Sequence, residues 1–166
     1  SDRSVAWLQE GLRHADENVD EAEIGAIIDR FSESDFDLTV AAFGAPSDVD
    51  GDGKVAVLFT HLVDDVGGVG GFYSASSVLP EEVGGDGNLS DLLYISPTQP
   101  LRTYRSLLVH ELQHLISFNQ HVLVRGGESE VSWLNEGLSH VAEDLVSGHA
   151  LSGVSDLVRS FVMAPA

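Results

Sequence analysis

The 166-residue chain contains no cysteine. That excludes disulfides and thiolate metal sites, so a transition metal bound here has to be held by histidine and carboxylate. Positive charge is scarce as well: eight Lys and Arg, with Lys54 the sole lysine, stand against 27 Asp and Glu, a formal charge of −19. A field of that sign repels phosphate backbones and anionic membrane surfaces, which argues against nucleic acid as a partner. Long apolar runs are missing too. No stretch approaches the roughly 18 to 20 residues of a membrane span, and the start "SDRSVAWLQEG" has no basic region followed by a hydrophobic one. What is present is 43% hydrophobic residues, enough for one sizeable core, so residues 1–166 are expected to form a single domain.

Apolar spacing predicts helices over 4–15, with Ser4 as N-cap, and over 20–32, with Asp20 as N-cap. A shorter helix around "DLTVAAFG" is expected to stop at Gly44. "VAVLFTHL" and "DLLYIS" read as strands. The Gly- and Ser-rich stretch 67–87 between them reads as a long loop with one short helical turn. Helices return from Pro100 to about His121, from about Glu128 to Val146, and more weakly from Ser152 to Val162. Many helices around a small central sheet make the expected fold class α+β.

The helix after Pro100 carries "RSLLVHELQHLISF", residues 105–118. At about 100° per residue, His110 and His114 lie about 40° apart, one turn from each other, and can grip a single ion. Leu108, Leu112 and Leu115 cover the opposite face and hold the histidines against a core. Glu111 sits beside the ion, where a general base acting on metal-bound water would be. Three residues compete to be the third ligand. His121 lies about 10 Å further along the axis and is out of reach unless the helix breaks. Glu136, in "SWLNEGLSHVAEDL", is preferred, because a second helix crossing the first would complete two histidines, a glutamate and a water around zinc. His140, one turn later on the same face, is the remaining candidate. Leu134, Leu138, Val141 and Leu145 are expected to be the packing face of that second helix, and Trp7 and Trp133 read as packing residues.

"HELQH" followed by the glutamate of "WLNEG" resembles the gluzincins, zinc metallopeptidases whose third ligand is a glutamate on a following helix. "DVDGDGKVAVLFTHL", "DLLYIS", "VHELQHLISF" and "WLNEGLSHVAEDL", in that order, are similar to the hyicolysin-like bacterial secreted metallopeptidases over roughly residues 46–147. The resemblance implies a zincin-like fold, with an active-site helix and a following glutamate helix. It also implies zinc on His110, His114 and Glu136, Glu111 as base and proton shuttle, and hydrolysis of peptides or proteins outside the cell. In thermolysin-like gluzincins an aspartate four residues after the glutamate ligand orients the first histidine, but here that place holds His140. Glu143, Asp144 or a backbone carbonyl would have to take over, which leaves His140 to act on substrate or even to approach the ion. Little chain follows the glutamate helix to build the lower wall of the gluzincin cleft, as if a C-terminal subdomain were lacking. The Gly-x-Met-Glu-Asn segment of aminopeptidase N relatives is absent, which favours an endopeptidase. The rival reading is a non-catalytic metal-binding or adhesion module that retains the zinc scaffold.

Several further residues carry expectations. Asp48, Asp50 and Asp52 alternate ahead of Gly53 like the beginning of a calcium loop. Phe59 occupies the place of the closing EF-hand glutamate, so the two readings are a partial Ca2+ site completed by another segment and a bare acidic turn. By similarity to gluzincins, "NLSDLLYIS" would be the edge strand above the active-site helix, with Asp91 and Leu92 pairing with an extended peptide. Candidates for stabilising the oxyanion are His140, Tyr73, Tyr104 and His149, and Tyr73 is also expected to bind substrate.

Overall fold

A computed structural model describes residues 2–12 and 21–147. Four strands, β1 (Ser4–Leu8), β2 (Val55–Phe59), β3 (Gly71–Tyr73) and β4 (Leu92–Ile95), form one sheet in the order β1-β2-β4-β3. β1, β2 and β4 are parallel, and β3 runs antiparallel to β4 with Phe72 opposite Tyr94. Among the described residues five α-helices accompany it: α1 (Glu21–Arg30), α2 (Phe36–Phe43), α3 (Leu62–Val66), α4 (Leu101–Phe118) and α5 (Ser132–Ser147). A π-helical turn at Phe31–Asp35 joins α1 to α2, and another at Asn119–Leu123 prolongs α4. The α+β expectation with a small mixed sheet agrees with this architecture.

The core lies between one face of the sheet and the helices. Val55, Val57 and Phe59 alternate inward from β2, as a strand covered on one face requires, and meet Leu93 and Ile95 of β4. Leu108, Leu112 and Leu115 of α4 have no exposed surface, so the active-site helix of the sequence reading is fixed along its whole apolar side. Tyr104 is also interior: its ring meets Phe59 edge-on at 5.4 Å and its hydroxyl donates to Pro97 O at 2.8 Å. Tyr104 is therefore a core residue rather than an oxyanion donor.

Several expectations need correcting. Residues 4–8 form a strand, not the start of a helix, so Ser4 opens a strand rather than capping a helix, and its hydroxyl hydrogen-bonds that of Ser32. The short apolar run "VAWL" satisfies both periodicities, and pairing with β2 decides between them. The loop read over 67–87 contains β3, whose glycine content hides it from propensity. β4 is not an edge, since it lies between β2 and β3; the edge strand on that side is β3. Trp7 and Trp133 are 58% and 76% exposed, so neither packs in the core. On α5 the buried residues are Ser139, Ala142, Glu143 and Val146, while Val141 and Leu145 face outward. The helix read over 152–162, together with Asp20 and His149, lies outside the described residues. Among the described residues no helix is long and apolar enough to cross a membrane.

Candidate metal centre and cleft

α4 and α5 cross so that the polar faces of both meet. From α4, His110 and His114 project with their rings 4.8 Å apart. Glu136, on the first turns of α5, brings one carboxylate oxygen to 3.3 Å from His110 Nε2 and the other to 3.6 Å from His114 Nε2. A tetrahedral ion with arms of about 2.0 to 2.1 Å has donor-to-donor edges of about 3.3 Å, so this set has the spacing and the hard-to-borderline donors that a zinc-like ion takes. His121 is turned away and pairs with Glu130 at 2.6 Å.

Each histidine is oriented from behind. Glu143, two helical turns past Glu136, places Oε1 at 2.7 Å from His110 Nδ1 and at 2.9 Å from His140 Nδ1. A carboxylate on a metal-binding histidine fixes its tautomer and ring plane. Glu143 thus occupies the role that the sequence pattern left vacant at position 140. His140 serves this carboxylate and is absent from the residues lining the cleft. Its Nδ1, with His110 and Glu143, forms a second group of potential ligand atoms behind the first. His114 is held by the fully buried Ser139, whose hydroxyl lies 3.2 Å from His114 Nδ1 and donates to Gln113 Oε1 at 2.7 Å. Sequence reasoning missed Ser139 and Gln113. The available signal was their position: Ser139 lies one turn after Glu136, and Gln113 immediately precedes His114.

The protonation balance follows from these contacts. Burial depresses the pKa of His114, with the neighbouring His110 adding to it, and so favours the neutral, metal-ligating ring. For His110 burial pulls the same way but is outweighed by Glu143 and the nearby carboxylates, which raise its pKa. A proton and a cation therefore compete for His110 Nε2. Glu111 is only 4% exposed, and burial pushes its carboxyl up to about 7, although its oxygens accept the backbone N–H of Tyr73. A carboxyl poised there can hold or release a proton near neutral pH.

The cleft, about 290 Å3, is lined by residues of β3, by His110, Glu111 and His114, and by Asn135 and Glu136. β3 fits so closely against α4 because of glycine. A Cβ on Gly71 would meet Ile95 Cδ1 and Tyr94 O at 2.9 Å and Glu111 Cγ at 3.3 Å. Tyr73 reaches the cleft, while its hydroxyl is buried without a partner among the described residues and burial drives its pKa up. Asn135, not singled out from the sequence, lines the cleft and hydrogen-bonds His114.

Asp91 and Leu92 are not in this cleft. Asp91 is fully buried and accepts hydrogen bonds from Ser47 Oγ and from Val49 N, so it braces the acidic loop on the sheet. Leu92 pairs with Ala56 in the sheet interior. Asp48, Asp50 and Asp52 do converge, all exposed. Their oxygens accept backbone N–H groups of the same loop, Gly53 N to Asp48 at 2.9 Å and Lys54 N to Asp52 at 2.7 Å among them.

No family model matches the chain. It is 27% identical over 143 residues to the neutral metalloprotease ShpI of Staphylococcus hyicus, an alignment that covers 79% of this chain and 32% of that protein. The chain thus spans about a third of the length of the curated relative it matches. This distant likeness to a metalloprotease agrees with the presence of a His-His-Glu group able to bind a metal.

Proposed function

We propose that the chain is a zinc-dependent endopeptidase of gluzincin type, hydrolysing internal peptide bonds of peptide or protein substrates. The observation that carries the reading is the convergence of His110, His114 and Glu136 from two crossing helices at donor-to-donor spacing, with the buried Glu111 at the same cleft. The likeness to ShpI supports the peptidase class, and the resemblance of the motifs to hyicolysin-like enzymes supports the gluzincin type and action outside the cell.

When bound there, zinc supplies Lewis acidity, which polarises a carbonyl oxygen and acidifies water. The rest falls to the chain's own side chains. The Glu111 carboxylate takes a proton from the attacking water and later delivers it to the departing amine nitrogen. The N–H of Tyr73 holds that carboxylate in place. Glu143 and Ser139 keep the two imidazoles in register, so that no reorientation is required as charge develops. Among the described residues β3 is paired only with β4, and its other side can receive an extended peptide backbone. The side-chain amide of Asn135 lies in the cleft and is better placed as a donor toward an oxyanion than His140 or Tyr104, which do not line it.

The test is cleavage of internally quenched peptides by zinc-loaded protein and by Glu111→Gln, with metal content measured on both. Turnover that is abolished by chelator, restored by zinc and lost in the variant supports the reading. Stoichiometric zinc with no hydrolysis across a broad peptide library would return the chain to the class of non-catalytic metal-binding modules.

A further inference from the structure

A second cavity, of about 180 Å3, adjoins the cleft. The two share Tyr73, His114 and Asn135 as walls. A side chain filling the second cavity therefore belongs to a substrate residue beside the bond held in the first. The other walls of the second cavity are Ala75, Ser117 and Phe118, with Ser129 and Glu130 on the segment leading into α5.

The charge of this cavity is one-sided, although Phe118 and Ala75 give it an apolar wall for the stem of a long side chain. Among the described residues Glu130 is its one carboxylate, and neither lysine nor arginine lines it. The Glu130 side chain is only 18% exposed, and one oxygen pairs with His121 Nδ1 at 2.6 Å. An ionised carboxylate offers about four acceptor sites, more than this one contact uses. An apolar side chain entering here would cover a carboxylate without completing its hydrogen bonds, and an acidic one would add a like charge at close quarters. An ammonium or guanidinium group supplies further donors and the opposite charge, and the two serine hydroxyls can accept its remaining N–H groups. The formal charge of −19 acts in the same direction, drawing cationic peptides toward the molecule before they dock.

We propose that this cavity is a subsite for the lysine or arginine side chain of a residue beside the scissile bond, with Glu130 as its specificity-determining residue. The proposal rests on the peptidase reading of the adjoining cleft. Two measurements separate their fates. In the first, zinc-loaded protein and Glu130→Gln are given quenched peptides that differ only in carrying lysine, arginine, norleucine or glutamate at one position. The expected result is kcat/KM at least about tenfold higher for the cationic peptides than for norleucine, the gap narrowing to within about twofold in Glu130→Gln. The amide still accepts from His121, so the loop keeps that contact.

The second measurement needs no turnover: calorimetric binding of argininamide and norleucinamide to zinc-loaded Glu111→Gln, with and without Glu130→Gln. Argininamide is expected to bind at least about tenfold more tightly, and to lose that advantage with Glu130. Equal binding of the two ligands, binding of neither, or a cationic preference that survives Glu130→Gln overturns the subsite. A chain that cleaves nothing yet binds argininamide through Glu130 keeps the subsite and loses the peptidase reading.

Discussion

Replacing Glu111 by glutamine keeps the size of the side chain and its place under the Tyr73 N–H, but removes the proton acceptor. The expected outcome is a fall in kcat of about 10^2 to 10^4 with zinc content unchanged, read from quenched-peptide kinetics and metal analysis of the same samples. Glu143 is a positioning residue and should behave differently. Glu143→Ala leaves His110 and His140 without their shared acceptor, and zinc affinity measured by competition with a chelating dye should weaken about 10- to 100-fold. Glu143→Gln, which can still accept a hydrogen bond, should weaken it less. Gly71 offers a third test. Gly71→Val puts branched carbon where Tyr94 O, Ile95 and Glu111 already sit, so kcat/KM should drop by roughly ten- to a hundredfold while zinc remains bound. The grouping of His110, Glu111 and His114 was legible in the sequence because spacing on a helix is a local property, whereas Glu136, on a second helix, was only the preferred one of three candidates until the structure brought it beside the two histidines. Glu143 could only be named among alternatives, and Asn135, Ser139 and Gly71 were not found, because their roles depend on which faces of two distant elements meet.

That limit is clearest in α5. Its apolar residues Leu134, Leu138, Val141 and Leu145 suggest one packing face, yet the helix is turned so that Ser139, Ala142 and Glu143 are buried. The polar partners waiting on α4 explain the rotation: Gln113 receives Ser139, and His110 receives Glu143. Small side chains at 139 and 142 let the two helices approach, and Val141 and Leu145 are left 54% and 45% exposed. The strands tell a similar story. β2 and β4 were legible from their β-branched and aromatic runs, whereas β1 was masked by a competing helical period and β3 by glycine. The crossing of α4 and α5 depends on one further contact. Arg105 makes a two-pronged pair with the fully buried Asp35, at 2.6 and 2.7 Å, and donates to Val146 O at 2.8 Å, tying α4 to the turn before α2 and to the end of α5. Removing the cation strands a buried carboxylate, so Arg105→Ala should destabilise the protein by about 3 to 5 kcal/mol, measured by urea unfolding. A loss below about 1 kcal/mol would show that the pair does not brace the site.

For the molecule as a whole, the formal charge of −19 means that folding gathers like charges. Screening should relieve this, so the thermal midpoint is expected to rise from low to moderate salt, where the Debye length contracts to about 10 Å or less. Zinc should add to the same midpoint: free metal at a hundredfold excess over its dissociation constant contributes about 2.7 kcal/mol, or roughly 5 to 10 °C for a chain of this size. The Glu136→Ala variant should lose most of that gain. The most direct test of the centre is an anomalous-scattering map of the zinc-loaded protein, with data collected on either side of the zinc absorption edge. The expected result is one strong peak at about 2.0 to 2.2 Å from His110 Nε2, His114 Nε2 and a Glu136 oxygen, with Glu111 nearby but not coordinated. A peak lying instead among His110, His140 and Glu143, or no peak between α4 and α5, would contradict the assignment of the metal and the mechanism built on it.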